Sequence, residues 1–199
     1  MNLLLVSIAF PPKNDPESLQ VLKYYRNMKK EDVQIDVVTS ANPTLWMRYD
    51  KVMAADLQAP RQLVEIKITE PRLLSIAIAK YFKFLLRPDS RMSFFLKWRS
   101  VIKQLKHKPD VIYSRSFPLS STLMAYKLKL YYKVPWILHL SDPWSESPLF
   151  NFKGALKQYH DRMEQKCFEN ADVISFTSEE TIRLYTGKYP AMASKFTLF

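Results

Sequence analysis

The chain has 199 residues but only 2 glycines. A dinucleotide-binding domain needs the G-x-G-x-x-G turn, in which glycines let the backbone approach a pyrophosphate at a helix N-terminus. Residues 10–15, which join the first predicted strand to the first predicted helix, contain no glycine. This absence argues strongly against an NAD or FAD enzyme.

Cysteine and long apolar runs are also scarce. Cys167 is the only cysteine, so no disulfide forms within the chain, which fits a reducing compartment. The opening run MNLLLVSIAF has no basic region before it and leads into Pro11 and Pro12, so it predicts a buried strand and not a signal peptide. No run reaches the length of about 18 apolar residues that a spanning helix requires. We therefore expect a cytoplasmic protein that is either free or peripheral on the inner face of the membrane.

The composition is that of a packed protein with an excess of positive charge. Hydrophobic residues make up 47% and aromatic residues 14% of the chain, which predicts one globular domain over residues 1–199. The formal net charge of +11 points to an anionic partner. A phosphate-bearing substrate, an anionic lipid surface and nucleic acid all remain open on charge alone.

Apolar runs alternate with amphipathic stretches along the whole chain. Strands are predicted over 3–8, 33–38, 63–68, 110–113, 136–140, 172–176 and 196–199. Helices are predicted over 15–28, 73–86, 91–105, 118–131 and 153–170, with a further helix after the capping-box spacing of 177–180. Strands separated by helices predict an α/β fold, Rossmann-like and doubly wound, with a mainly parallel sheet and helices on both faces.

In such a sheet, ligands bind beyond the carboxyl ends of the strands, so functional residues are expected in the segments that follow strands. The first segment contains Pro12, Lys13, Asn14 and Asp15. Lys13 and the adjoining helix N-terminus are candidates for holding an anionic group. The alternative is a solvated lysine in a loop.

The second segment contains Arg115, Ser116 and Pro118 after a buried strand. We expect its hydroxyls and guanidinium to face the crevice, where Arg115 would bind a phosphate or carboxylate in bidentate fashion. An ion pair that fixes the loop is the alternative role for Arg115.

The third segment has the densest polar group at any predicted strand end: His139, Ser141 and Asp142, followed by Trp144. Alternation along a strand places His139 and Ser141 on the same side. His139 and Asp142 are the candidate catalytic residues. His139 could act as an acid, a base or a hydroxyl-orienting group because the ordinary pKa of histidine lies near working pH. A hydrogen-bonded structural histidine is the alternative.

These segments together resemble a known family. The carriers of the resemblance are R-P-D at 87–89, K-P-D-V-I-Y at 108–113, S-F-P at 116–118, P-W at 135–136, S-D-P-W at 141–144 and A-D-V-I at 171–174. Their order and spacing are similar to the N-terminal domain of family 4 glycosyltransferases of the GT-B fold. The likeness extends over nearly the whole chain.

The resemblance implies an activity and a division of labour. Members of the family transfer a sugar from a nucleotide-sugar donor to an acceptor, with retention of configuration and without a bound metal. Their N-terminal domain holds the acceptor, and a C-terminal domain with two glutamates holds the nucleotide. The residues carried over are those of the crevice wall: the loop from Pro11 to Asp15, Ser116 and Pro118, and Asp142 with Trp144.

The sequence also departs from the family pattern. Asn14, Asp15 and Pro16 stand where the family has paired glycines, Ser141 replaces an arginine, and His139 occupies a position that is often acidic.

The resemblance implies the acceptor-binding half of a retaining glycosyltransferase of the hexosyltransferase type, serving cell-surface polysaccharide or glycolipid synthesis on a sugar or lipid-linked acceptor. We expect the C-terminal donor-binding domain to be absent from this chain, no cofactor in the chain itself, and no turnover without the second domain. A non-catalytic basic module that binds a membrane or a protein is the alternative. Half of a GT-B epimerase or phosphorylase is another.

The segment over 73–87 is apolar almost all round, with Lys80, Lys83 and Arg87 on one stripe. Such a helix suits the headgroup region of an anionic bilayer. The alternative is a helix packed on the sheet with its lysines in water. Nucleic acid is not expected as a partner, because no helix-turn-helix, zinc or RNP pattern is present.

Overall fold

The computed structural model describes residues 1–31, 33–41, 48–55, 57–69, 87–148, 150 and 152–199. The predicted helix over 73–86, with Lys80 and Lys83, lies outside the described residues. Within the described residues, no helix is both long enough and apolar enough to cross a bilayer.

The strands, in chain order, are β1 (Asn2–Val6), β2 (Lys13–Asn14), β3 (Gln34–Ser40), β4 (Arg48–Tyr49), β5 (Gln62–Ile66), β6 (Val111–Ser116), β7 (Trp136–Leu140), β8 (Val173–Phe176) and β9 (Phe196–Leu198). Seven of them form one parallel sheet in the order β5-β3-β1-β6-β7-β8-β9. The short strands β2 and β4 pair with each other in antiparallel fashion. The predicted doubly wound, Rossmann-like α/β fold is confirmed.

The described helices are α1 (Pro16–Lys30), α2 (Lys51–Ala55), α3 (Met92–Leu96), α4 (Trp98–Gln104), α5 (Leu119–Tyr132), α6 (Gly154–Asn170) and α7 (Glu179–Lys188), and a 3-10 turn spans Pro190–Lys195. The helix predicted over 91–105 is two helices, separated at Lys97. At the start of α1 the Asp15 carboxylate accepts a hydrogen bond of 2.6 Å from the Ser18 amide, and Pro16 takes the first helical position.

The sheet is covered on both faces, as its apolar strands require. Under α1 lies a smaller cluster that includes Leu3, Leu5, Val21, Tyr25 and Val37. The opposite face carries the larger cluster, which α3, α4, α5, α6 and α7 cover. Strands buried on both faces explain why the central runs read as almost uninterrupted apolar sequence.

The winding of the chain reverses next to β1. From β1 the chain adds β3 and then β5 on one side, and then returns to place β6, β7, β8 and β9 on the other. In a doubly wound sheet this reversal opens a crevice at the carboxyl ends of the two strands where it occurs. Here those strands are β1 and β6.

Strand β6 is longer than predicted and runs to Ser116 instead of ending at Tyr113. Ser114, Arg115 and Ser116 are therefore strand residues with register partners Leu138, His139 and Leu140 on β7. This shift moves Arg115 and Ser116 from the expected loop into the sheet, where both are buried.

Candidate functional site

A cleft of about 560 Å³ opens at the carboxyl ends of the strands, at the reversal of the winding. Its walls come from the first turn of α1 and from the segments that follow β6, β7 and β8. The start of α3 adds one side chain. The lining residues are Asp15, Pro16, Glu17, Gln20, Arg91, Phe117, Pro118, Ser141, Asp142 and Thr177.

The floor of the cleft is fixed by an ion pair between α1 and β6. Arg115 Nε donates to Glu17 Oε1 at 2.8 Å, and the arginine side chain is 0% exposed while that of Glu17 is 13% exposed. Burial raises the pKa of Glu17, and the charge of Arg115 opposes that shift. A buried guanidinium needs a counter-charge at hydrogen-bond distance, and Glu17 supplies it.

Further contacts of Arg115 are internal to the domain. Its Nη2 donates to Gln20 Oε1 at 2.8 Å, its Nη1 donates to Tyr113 Oη at 3.2 Å, and the guanidinium lies 4.6 Å from the centre of the Tyr24 ring. This corrects the expectation that Arg115 faces the crevice to bind a ligand. The alternative role as an internal ion pair describes its geometry, because the strand end is buried under α1.

Ser141, in the segment that follows β7, joins the same group. Its hydroxyl oxygen lies 2.7 Å from Glu17 Oε2 and 2.9 Å from the carbonyl oxygen of Ser116, and its single proton serves one of them at a time. Ser116 is itself buried, with its hydroxyl bonded to that of Thr122. Ser116 therefore supports the cleft from behind and does not line it.

The outer wall of the cleft carries groups that are open to solvent. The side chain of Asp142 is exposed, and Thr177 donates its hydroxyl to the carbonyl of Ser141 at 2.8 Å. The amide of Gln20 and the ring of Phe117 complete this wall. Carboxylate, hydroxyl and amide groups beside an apolar ring suit a ligand rich in hydroxyls, because each hydroxyl both donates and accepts hydrogen bonds.

Trp144 does not line the cleft. Its indole Nε1 donates to His160 Nδ1 at 3.0 Å, and its backbone amide donates to the hydroxyl of Tyr185 at 2.7 Å. Burial lowers the pKa of His160 to about 4, so its Nδ1 is free to accept that bond. This corrects the expectation for Trp144: the side chain is 0% exposed and anchors the segment after Asp142 to the helices behind it.

A buried carboxylate holds the same segment in place. Glu164 on α6 accepts hydrogen bonds from the amide and hydroxyl of Ser145, at 2.8 Å each, and from Lys188 at 2.8 Å. The hydroxyls of Tyr185 and Tyr189 also donate to it, at 2.8 and 2.9 Å. The position of Asp142 at the cleft thus depends on α6 and α7.

His139 lies under α1 and not in the cleft lining. Its Nδ1 is 2.9 Å from Ser175 Oγ, the rings of Tyr24 and Phe199 pack against it, and its Nε2 has no partner among the described residues. Burial, with the nearby charge of Arg115, lowers the pKa of His139 to about 3. The structure therefore gives His139 a buried neutral position, which corrects its expected place as an acid or base facing the crevice.

The segment over 12–14 turns away from the cleft. Lys13 Nζ donates to Thr39 Oγ1 at 3.0 Å, and burial lowers the pKa of Lys13 to about 8. Asn14 Nδ2 donates to Asp50 Oδ2 at 2.9 Å, and the carbonyl of Pro12 accepts from the Asp50 amide at 2.8 Å. The β2-β4 pairing causes this turn, so Asp15 is the residue of the predicted first segment that reaches the lining. Burial raises its pKa.

Several lining residues were not predicted as part of the site. Glu17 and Gln20 follow the predicted helix N-terminus at Asp15, and their three-residue spacing places them on one side of α1, which is a signal that would have found them. Thr177 follows a strand, which is the same signal that identified Asp142. Arg91 comes from the connection before α3, where no sequence pattern points to the cleft.

Among the residues predicted for a membrane surface, Arg87 is described, and its guanidinium lies 4.8 Å from the centre of the Tyr159 ring.

Comparison with known proteins identifies the family to which the chain belongs. A family model described as a glycosyl transferase 4-like domain matches residues 18–198. No curated protein sequence matches significantly.

Solved structures share the fold at low sequence identity. Sucrose-phosphate synthase from Thermosynechococcus elongatus has a TM-score of 0.63 at 15% identity, with 99% of this chain and 47% of that chain covered. The catalytic domain of starch synthase IV from Arabidopsis thaliana, bound to ADP and acarbose, has a TM-score of 0.55 at 12% identity, with 100% and 50% covered. The Anabaena protein HepE, in complex with UDP and glucose, has a TM-score of 0.53 at 12% identity, with 99% and 43% covered. At these identities the likeness shows the fold alone, and the chain spans about half the length of each structure.

Proposed function

Since the chain belongs to the glycosyl transferase 4-like family, we propose that it forms the acceptor-binding half of a retaining glycosyltransferase that uses a nucleotide-sugar donor. The transferred group is a hexose. The acceptor is a sugar or a lipid-linked sugar, and the product enters cell-surface polysaccharide or glycolipid. The site of action is the inner face of the membrane, where the protein is peripheral.

The observation that carries this proposal is the composition of the cleft. Its open wall offers the carboxylate of Asp142, the hydroxyl of Thr177 and the amide of Gln20 beside the ring of Phe117. A sugar acceptor presents alternating hydroxyls and a ring face, so it matches both the polar groups and the apolar one. Arg115 is paired with Glu17, so its guanidinium is not available to bind a phosphate at the floor of the cleft. This pairing favours recognition of hydroxyl groups over recognition of phosphate.

Nucleotide-sugar binding is assigned to a second domain. The chain corresponds to about half of the glycosyltransferase structures named above, two of which hold a nucleotide and a sugar. The glycine-free first loop supports the same assignment, because it lacks the turn that lets a backbone approach donor phosphates. The donor in this proposal meets the acceptor across the open side of the cleft.

Acceptor binding tests the proposal directly. The chain, labelled with ¹⁵N, is titrated with a panel of neutral oligosaccharides, and amide shifts are followed by NMR. We expect binding that perturbs residues of the cleft lining. Asp142→Asn removes one charge-assisted acceptor and should weaken the binding about tenfold.

The control is Glu31→Gln, which removes an exposed carboxylate at the far end of α1 and should leave the affinity unchanged. Binding that Asp142→Asn does not affect, or shifts that cluster away from the cleft, would count against an acceptor site here.

A further inference from the structure

The second surface of interest lies on the sheet face opposite α1, where α4 and α5 pack side by side. The rings of Trp98 and Tyr131 meet across the two helices with centroids 6.5 Å apart. On α4, Arg99 and Lys103 are one turn apart on the exposed side; on α5, Lys127, Leu130 and Tyr131 fall on one face. These residues, Trp98, Arg99, Lys103, Lys127, Leu130 and Tyr131, are called the α4-α5 surface below.

This surface is rich in lysine and arginine. Residues 90–109 contain six lysines and arginines, and residues 118–135 contain Lys127, Lys129 and Lys133; neither stretch contains an aspartate or glutamate. Lys129 pairs with Asp172 at 2.6 Å. In the described part of the chain, no carboxylate forms an ion pair with Arg99, Lys103 or Lys127.

Apolar and aromatic side chains stand exposed between these cations. Leu130 is 46% exposed and Tyr131 is 55% exposed. The guanidinium of Arg99 lies 4.5 Å from the centre of the Trp98 ring, which keeps the charge beside an aromatic plane. Cations interleaved with leucine, tyrosine and tryptophan are the pattern of helices that lie in the headgroup region of a bilayer.

We propose that the α4-α5 surface docks the protein on an anionic membrane surface, with Leu130 and Tyr131 entering the headgroup layer and Arg99, Lys103 and Lys127 meeting lipid phosphates. Nucleic acid satisfies the charges but gives an exposed aliphatic side chain such as Leu130 no apolar partner. The membrane is therefore the occupant that both the charged and the apolar parts fit. The inference rests on the peripheral membrane location proposed above, but it concerns a different surface from the cleft, so vesicle binding and sugar binding can fail separately.

Vesicle binding tests the docking surface without any sugar present. Flotation compares vesicles of phosphatidylcholine with vesicles of phosphatidylcholine and phosphatidylserine. The wild-type chain should float with the anionic vesicles alone and should be released by salt. Arg99→Gln/Lys103→Gln should weaken the partition about thirtyfold, from a contribution of about 1 kcal/mol for each cation near the surface.

The matched control is Arg162→Gln/Lys166→Gln, an exposed pair with the same spacing on α6. It removes the same net charge and should leave binding nearly unchanged. Tyr131→Ser tests the apolar part and should weaken binding, while Leu184→Ser, an exposed leucine on α7, should not. Circular dichroism confirms that each variant is folded.

Four results would overturn the inference. They are the failure of wild-type protein to bind anionic vesicles, equal binding to neutral vesicles, equal losses in the α4-α5 variant and the α6 control, and unchanged binding in both Arg99→Gln/Lys103→Gln and Tyr131→Ser. Displacement from the vesicles by duplex DNA, with Tyr131→Ser binding as well as wild type, would assign the surface to nucleic acid instead.

Discussion

At the scale of single residues, the Glu17 carboxylate decides whether the floor of the cleft is stable. The side chain of Arg115 is wholly buried, so the cost of removing its charge from water must be offset by the carboxylate of Glu17, 2.8 Å away. Glu17→Gln would leave a buried guanidinium without a counter-charge, and we expect a loss of about 3 kcal/mol in the free energy of unfolding. Urea denaturation at neutral pH measures it.

The control for this prediction is the exposed pair Arg183–Glu179, whose side chains are 74% and 63% exposed. Arg183→Gln should cost less than about 1 kcal/mol, because water screens that pair. Equal losses in the two variants would show that Arg115 does not need its partner.

His139 makes the stability of the protein depend on pH. Burial lowers its pKa in the folded state to about 3, below the ordinary value for an unfolded chain. A group with a lowered folded pKa gives full stability above its unfolded pKa and loses it as the pH falls through that value. Between about pH 7 and about pH 5 this histidine becomes protonated in the unfolded chain but stays neutral in the folded protein. The free energy of unfolding therefore falls by about 2 kcal/mol over this range.

Replacing the histidine should remove that cost. Urea denaturation of His139→Gln at both pH values is expected to show a decline about 2 kcal/mol smaller than that of wild type. His160, whose folded pKa is about 4, should contribute a second decline of the same sign, so the variant keeps part of the slope. A variant that declines as steeply as wild type would mean that folded His139 takes up the proton.

The sequence identified several residues at the correct strand ends but not their contacts. Ser141 and Asp142 were predicted from their position after β7, and both line the cleft. Arg115 was expected in the loop after a strand that ends at Tyr113. In the structure that strand continues to Ser116, so Arg115 lies within it. The hydrogen bond between Arg115 and Glu17 joins residues 98 positions apart, and no local sequence pattern predicts such a pair.

At the scale of elements, the segment after β7 depends on a carboxylate from α6. Glu164 is 0% exposed and accepts hydrogen bonds from Ser145, Tyr185, Lys188 and Tyr189. Glu164→Gln removes the charge and turns half of the acceptor into a donor that faces other donors. We expect a loss on the order of 3 kcal/mol in the free energy of unfolding, together with changed NMR shifts at Asp142.

Glu169→Gln, on the same helix but exposed, is the matched control and should have little effect on either measurement. Stability that falls without any change at Asp142 would show that the network holds the helices together but does not position the cleft wall.

Secondary structure within these elements was largely predictable, and the exceptions have physical causes. The Asp15 cap and Pro16 mark the start of α1 correctly, and Trp136–Leu140 matches the predicted strand. The helix predicted over 91–105 is divided because the Lys97 amide bonds to the carbonyls of Phe94 and Phe95, which closes a tighter turn there. The capping-box spacing began one residue early: Ser178, and not Thr177, accepts from the Thr181 amide.

At the scale of the whole molecule, the alternation of strands and helices was enough to predict the sheet and its doubly wound topology. That topology places the start of α1 and the segments after β6, β7 and β8 around one cleft. The sequence did not predict the β2-β4 pairing, and in the structure Lys13 of β2 donates to Thr39 of β3 and does not line the cleft. A pairing of two residues per strand is too short to leave a period in the sequence.

The proposed division of the reaction between two domains leads to a prediction about the activity of this chain. The chain covers 47% of the length of the sucrose-phosphate synthase structure. Electrostatic stabilisation of a leaving nucleotide requires groups that face its phosphates, and the cleft lining offers Arg91 as its one basic residue among those described. We therefore expect the 199-residue chain to bind acceptor but to transfer no sugar from a panel of nucleotide sugars, as measured by release of nucleoside diphosphate and by labelled product.

Adding a donor-binding domain, covalently or in trans, should restore transfer, and Asp142→Asn should then reduce it. Sugar transfer by the isolated chain at rates typical of enzymes, about 1 per second or faster, would show that donor and acceptor sites lie within these residues.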